Sequence, residues 1–152
     1  MERKTFKITI DAPRQKVWET LWGAETYPKW TSAFAPGSKV ETDWRQGSKT
    51  LFLDVNGDGM ISEIAEKREP EFMSFKHLGE IVNGKEDTES EKVKAWAGST
   101  EDYTLTESDN QTEVSVSMDV DGEYADFFEK TWPRALEHLK SISEGKDFKE
   151  VE

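Results

Sequence analysis

The sequence predicts an α+β fold in which a curved antiparallel sheet of about six or seven strands wraps around a long C-terminal helix, with two short helices after the first strand. Apolar residues recur every three or four positions over residues 124–142, as on one face of a long helix. Over residues 113–120 apolar and polar residues alternate, as in a strand with one solvated face. The order of strand, two short helices, several strands and a final helix lets that helix cover one face of a single sheet.

The first elements are a strand and two helices. The stretch "TFKITI" alternates apolar and polar residues and predicts a half-buried strand. The stretch "DAPRQKVWETLW" predicts a helix that Asp11 caps and whose first turn contains Pro13. The stretch "AETYPKW" predicts a second short helix, broken by Pro28.

The middle of the chain is predicted to form strands. "SKVETDW" and "KTLFLDV" come first, and an Asn-Gly-Asp-Gly turn leads to "MISEIAEKR". A turn at Glu69 and Pro70 leads to "FMSFKHLG". Residues 83–98 are strongly polar and predict a long loop with one helical turn, a kind of segment that is often functional. "STEDYTLTE" and "TEVSVSMDV" are the last two predicted strands.

The final helix ends near Gly145 in this interpretation. Pro133 removes a backbone donor within it, so we expect the helix to bend or restart there. Residues 1–145 are predicted to form one domain, and residues 146–152 a frayed tail.

One motif, "DVNGDGMISEIAE" at residues 54–66, resembles a calcium loop. Asp54, Asn56 and Asp58 occupy the first, third and fifth positions, and Gly59 the sixth. The twelfth position, which needs a bidentate acid, is Ala65. The flanking stretches read as strands rather than helices, so a β-hairpin is predicted instead, and neither a metal site nor a cofactor.

Composition excludes several classes of function. The chain has 20 basic and 32 acidic residues and a net charge of −12, which argues against nucleic-acid partners and membranes. An acidic surface that attracts a basic partner remains an alternative to simple solvation. The absence of cysteine excludes thiol chemistry, disulfides and cysteine zinc sites. No stretch resembles a signal peptide or a membrane span, so a cytoplasmic protein is expected.

Aromatic residues make up 11% of the chain and include six tryptophans, whereas aliphatic residues are sparse. When aliphatic residues are few, large flat side chains commonly line a ligand cavity. They also fill a solid core when aliphatic residues are scarce. Composition alone leaves both interpretations open.

Four stretches carry a resemblance to a known family. "IDAPRQKVWETLWGAETYPKW" combines a strand, a proline, a Val-Trp pair and a closing tryptophan, and "DWRQGSKTLF" places a tryptophan and a glycine before a strand. With these the chain resembles the START-like or SRPBCC superfamily, which includes the birch pollen allergen and polyketide cyclases. "FMSFKHLGEIVNG" and "FFEKTWPRALEHLK" are similar to its activator of heat-shock-protein-90 ATPase homologue-like branch. The resemblance covers residues 4–144 and implies a helix-grip fold.

The resemblance also implies a cavity between the long helix and the sheet, which many relatives use to hold hydrophobic small molecules. In this sequence the predicted walls are Trp30, Phe34, Leu53, Phe75, His77, Trp96, Tyr103, Met118, Phe128 and Trp132. For each of these residues, ordinary core packing is an equally open alternative.

His77 is the polar member of this set. Met73, Phe75 and His77 share one face by strand alternation, so His77 is expected to face an apolar cavity if that face meets the helix. There it could orient a ligand carbonyl or act as an acid or base. It could also bond a backbone carbonyl or lie at the edge of the sheet.

The leading hypothesis is a protein that binds a hydrophobic or amphipathic small molecule. A chaperone-linked interaction module, with a chaperone partner, is the alternative that the resemblance suggests. An enzyme of the cyclase or hydrolase type is a third, although the sequence contains no serine elbow, histidine pair or phosphate loop and no catalytic residue is predicted. We expect a monomer or a weak dimer.

Overall fold

The computed structural model describes residues 2–145, so the predicted tail at residues 146–152 lies outside the described residues. The strands, in chain order, are β1 (Glu2–Ile10), β2 (Lys39–Glu41), β3 (Lys49–Leu53), β4 (Gly59–Arg68), β5 (Phe72–Val82), β6 (Lys85–Asp87), β7 (Thr100–Ser108) and β8 (Gln111–Val120). The helices are α1 (Arg14–Trp22), α2 (Tyr27–Trp30), α3 (Glu91–Lys94) and α4 (Ala125–Ser143), with 3₁₀ turns at Thr31–Ala33 and Gly122–Tyr124.

All the strands belong to one antiparallel sheet in the order β1-β8-β7-β5-β4-β3-β2, with β6 paired to the end of β5. This is the predicted α+β architecture, a curved sheet against a long C-terminal helix with two short helices after the first strand. β6 is an addition to the prediction, because Lys85–Asp87 is a charged segment inside the expected loop.

The main core lies between the sheet, α1 and α4. Val17 and Leu21 of α1 and Leu136 and Leu139 of α4 are at most 2% exposed. Burying a leucine or valine in this way contributes about 1.5–3 kcal/mol relative to an exposed position. The apolar stripe of α4 is therefore the face that attaches the helix to the sheet.

Two predictions about Pro28 and Asp11 are wrong, and one of the two alternatives for Pro133 is excluded. Pro28 does not break α2 but lies in its first turn, where its missing N–H is not needed for a helical bond. Asp11 does not cap α1, whose N-cap is Pro13 without a side-chain bond. α4 does not restart at Pro133, which lies inside one continuous helix from Ala125 to Ser143.

The stretch that resembles a calcium loop is a β-hairpin between β3 and β4, as predicted. Leu53 pairs with Gly59, and the backbone N–H of Asp54 donates to the Asp58 carbonyl at 2.7 Å. The Asp54 carboxylate accepts the backbone N–H groups of Asn56 and Asp58 at 2.8 and 3.1 Å. This side chain therefore closes the turn itself.

Within residues 2–145, no group of three or more histidine, cysteine, aspartate or glutamate side chains is arranged to hold a metal ion. None of the helices in the same part of the chain is long and apolar enough to cross a membrane.

Candidate ligand cavity

A cavity of about 600 Å³ lies between the N-terminal half of α4 and the sheet. Its wall combines residues of α2 and the following turn, of strands β3, β4, β5, β7 and β8, of the segment after α3, and of α4. Small-molecule sites usually occupy about 300–1,000 Å³, so the size is that of a ligand site rather than of a packing defect.

One side of the cavity is aromatic. The rings of Phe34 and Trp132 meet edge to face at 4.9 Å, and Phe34 also lies 6.3 Å from Phe128. Trp30 is 1% exposed and is fixed by a hydrogen bond from its Nε1 to the Leu21 carbonyl at 3.0 Å. Because these rings pack against one another, they form an apolar surface on this side of the cavity.

Trp132 has a second property. The residue is 3% exposed and lines the cavity. Its indole Nε1 is buried and has no hydrogen-bond acceptor among residues 2–145. A buried N–H without an acceptor is unfavourable by about 1–3 kcal/mol. An oxygen within reach of this indole would remove that cost.

The opposite side of the cavity is polar and centres on His77. The Nδ1 atom of His77 lies 2.7 Å from Ser62 Oγ. The backbone N–H of His77 donates to the Ser99 carbonyl at 2.9 Å, and the His77 carbonyl accepts the backbone N–H of Gly98 at 2.8 Å. The His77 ring is therefore held from the side chain and from both backbone groups. Burial lowers the pKa of His77, while the nearby carboxylates of Glu101 and Asp119 partly oppose that change.

Glu101 and Tyr103 complete the polar wall. The Tyr103 hydroxyl donates to Glu101 Oε2 at 2.5 Å, and the other oxygen, Oε1, lies 4.0 Å from His77 Nε2. Burial, and then the charge of Glu101, raise the pKa of both Tyr103 and Tyr27, so both phenols stay protonated as hydrogen-bond donors.

A serine, a histidine and an acid lie next to one another, as in a catalytic triad: Ser62, His77 and Glu101. The serine is not placed to act as a nucleophile. Ser62 is 0% exposed and is not among the residues that line the cavity. The 4.0 Å between His77 Nε2 and Glu101 Oε1 is too long for a hydrogen bond. The arrangement supplies a rigid imidazole and a carboxylate to a bound molecule rather than an activated serine.

The rim comes from the predicted polar loop and from the start of α4. Val93 of α3 is fully buried and anchors the loop, which places Trp96 on the cavity wall. Lys92 forms an ion pair with Glu80 at 3.2 Å. Tyr124 and Phe127 also line the cavity and are 53% and 49% exposed, so the cavity opens beside them.

Eight of the ten predicted wall residues line the cavity. They are Trp30, Phe34, His77, Trp96, Tyr103, Met118, Phe128 and Trp132. Their role in binding stays a prediction.

The structure places Leu53 and Phe75 elsewhere. Leu53 packs with Ile61 and Ile81 in a small cluster apart from the main core, and its neighbour Phe52 lines the cavity instead. Because successive residues of a strand point to opposite faces, the predicted inward face of β3 is wrong by one residue. Phe75 is 0% exposed and is covered by Phe52, whose ring lies 4.9 Å away.

Sequence reasoning missed Glu101 and Glu80. Strand alternation does place Glu101 on the same face as Tyr103, so a signal for it was present. A β-bulge in β5 turns Glu80 toward the cavity. Ile61 pairs with Gly79 and Ser62 pairs with His77, so Leu78 is an extra residue without a partner on β4. The sequence gives no indication of that bulge.

Comparison with known families identifies a match over most of the chain. The model of the family described as Activator of Hsp90 ATPase homolog 1-like protein matches residues 11–144. No curated protein matches the sequence at a significant level.

Solved structures of the same fold cover nearly the whole chain. A protein of Mesorhizobium loti is 14% identical, with a TM-score of 0.73 over 97% of this chain and 100% of that one. The Aha1 dimer of Colwellia psychrerythraea is 19% identical, with a TM-score of 0.70 over 95% and 97%. CalU16 of Micromonospora echinospora is 18% identical, with a TM-score of 0.64 over 96% and 76%. At these identities the likeness shows the fold, and it confirms the predicted helix-grip architecture.

Proposed function

The chain belongs to the Activator of Hsp90 ATPase homolog 1-like protein family, and we propose that it uses the fold of that family to bind an apolar or amphipathic small molecule between α4 and the sheet. The observation that carries the proposal is the cavity of about 600 Å³, with aromatic rings on one side and fixed polar groups on the other. Protein interiors are normally packed without voids of this size.

The arrangement of the wall supports binding rather than packing alone. Phe34, Phe128 and Trp132 give an apolar surface, and His77 and Glu101 give a small number of oriented polar groups. Such a combination is typical of ligand sites, in which apolar contacts supply affinity and a few polar contacts fix orientation.

The test is binding of the neutral fluorescent dye Nile red to the purified full chain. Met118 is 3% exposed on the cavity wall, and Met118→Phe places a larger side chain in that space. We expect this variant to weaken Nile red binding at least about tenfold.

The matched control is Met73→Phe. Met73 is 0% exposed in the main core and does not line the cavity. This variant should lower the melting temperature because it overpacks the core, and leave dye affinity within about twofold. Absence of dye binding by the unmodified chain, or equal weakening by both variants, would refute the proposal.

The family match favours a second candidate, a chaperone-linked interaction module. Its test is stimulation of the ATPase activity of purified Hsp90 by the full chain. An outer surface would carry such an activity, so Met118→Phe should leave it unchanged, and its loss in that variant would link it to the cavity. A cytoplasmic location and a monomeric or weakly dimeric state belong to the proposal and are checked by cell fractionation and by sedimentation.

A further inference from the structure

The charged residues that line the cavity are unbalanced in sign. Four of them are acids and one is a base: Glu80, Glu101, Asp119, Asp121 and Lys92. The side chain of Lys92 is 76% exposed and already forms an ion pair with Glu80. Asp119 is paired with Arg3 at 3.2 Å, and Asp121 is exposed. Among the cavity-lining acids in residues 2–145, Glu101 is therefore the part-buried one without a lysine or arginine partner.

Glu101 is the acid best placed to meet a ligand. Its side chain is 21% exposed, and among residues 2–145 it forms no ion pair with a lysine or an arginine. Oε2 is occupied by the Tyr103 hydroxyl, whereas Oε1 keeps its capacity to accept a hydrogen bond, since 4.0 Å to His77 Nε2 is too long for one. Because burial lowers the pKa of His77, the imidazole does not supply a positive charge at neutral pH.

Tyr103 connects this carboxylate to the aromatic wall. Tyr103, which bonds Glu101, has its ring 6.2 Å from that of Trp132. Aromatic faces attract cations, and they also accept apolar chains. The net charge of −12 attracts cationic ligands from solution and repels anionic ones.

We propose that the ligand of this cavity is an amphiphile with a protonated amine head, which donates to Glu101 Oε1 while its apolar part lies among Phe34, Phe128 and Trp132. This inference rests on the proposed function and specifies the class of ligand. A carboxylate or phosphate head in the same place would face Glu101 without a compensating cation, and that excludes fatty acids and phospholipids as preferred ligands.

The test compares three probes that have the same dodecyl chain and differ only in the head group. Dodecylamine, dodecanol and dodecanoate compete with Nile red for the full-length protein at neutral pH, each below its micelle concentration or, for dodecanol, its solubility limit. We expect dodecylamine to bind at least about tenfold more tightly than dodecanol, and dodecanoate more weakly than dodecanol.

Glu101→Gln assigns the preference to one group, because it keeps the size of the side chain and an acceptor for Tyr103. It should lower the ratio of amine to alcohol affinity about tenfold, and this ratio cancels any effect of the variant on binding of the dodecyl chain itself. Glu113→Gln is the matched control, since it removes the same charge from an exposed position of β8 that does not line the cavity. It should leave the ratio unchanged.

The outcomes separate the two proposals. If Nile red and dodecanol bind but amine and alcohol affinities are equal, or dodecanoate binds as tightly as the amine, only the inference on the head group is refuted. An equal effect of Glu113→Gln would also refute it, because net charge alone would then explain the preference. If no probe binds, the proposed function itself fails. Should Glu101→Gln not fold, Glu80→Gln is substituted, with a smaller loss of amine preference expected because Lys92 already neutralises Glu80.

Discussion

The two halves of α4 meet the same sheet with different results. In the C-terminal half, Ala135, Leu136 and Leu139 are at most 2% exposed and lie in the main core. In the N-terminal half, Phe127 is 49% exposed and Phe128 is half-buried beside a cavity of about 600 Å³. The apolar stripe is continuous along the helix, so the cause of the difference lies in what faces it.

At the closed end, apolar side chains fill the space from the sheet and from α1. Ile10, Val114, Leu105 and Leu21 are at most 2% exposed there. At the open end the sheet presents His77, Glu80 and Glu101, whose polar groups must keep hydrogen bonds and cannot interdigitate as aliphatic chains do. In this protein the cavity therefore lies where polar residues take inward positions opposite an apolar helix face.

The largest expected effect is at the closed end. Leu136→Ala removes a side chain that is 2% exposed and leaves a cavity that the packed neighbours cannot close. We expect it to lower the free energy of unfolding by about 3 kcal/mol, within a range of about 2–5 kcal/mol. Urea unfolding followed by tryptophan fluorescence measures the change. A loss below about 1 kcal/mol would mean that the closed end is not tightly packed.

A smaller effect is expected at the open end, although the side chain removed is larger. Phe128→Ala deletes a half-buried ring that lines the cavity and so has fewer packed neighbours to lose, and it should cost less than half of what Leu136→Ala costs. The same urea titration tests it. A cost equal to or above that of Leu136→Ala would contradict the division of α4 into a closed and an open half.

Much of the fold could be predicted because its signals are local. The alternation over residues 113–120 and the stripe over residues 124–142 each specify one element without knowledge of the rest. β6 could not be predicted in this way, since its three charged residues pair through backbone groups with the end of β5. Its formation depends on a neighbour that the turn at residues 83–84 brings alongside.

The cavity wall is harder to predict, because it depends on which face of its strand each residue occupies and on the summed volume of the side chains. A shift of one residue exchanged Leu53 for Phe52, and a bulge at Leu78 turned Glu80 inward. Glu101 could have been found, since it lies on the same face of β7 as the buried Tyr103 and Leu105. Whether aromatic residues fill the interior or leave space depends on the sum of many side-chain volumes and positions, and a sequence does not contain those positions.

A still smaller effect on stability is expected from the titration of His77. His77 belongs to the open end, and burial lowers its pKa in the folded chain below the ordinary value of 6.5. As the pH falls below 6.5, the unfolded chain takes up this proton before the folded chain does. Acid should therefore destabilise the protein through His77, and this contribution should be absent above that pH.

His77→Asn isolates this contribution because it keeps a polar atom near Ser62 and removes the titrating group. The carboxylates remain in both proteins, so the difference between their unfolding free energies at neutral pH and below pH 6.5 reports His77. We expect the stability of the variant to fall less on acidification. In a Glu101→Gln background the effect of His77 should grow, because that carboxylate opposes the lowering of its pKa. Equal losses of stability in acid for the unmodified chain and His77→Asn would show that the open end does not bury His77 in its neutral form.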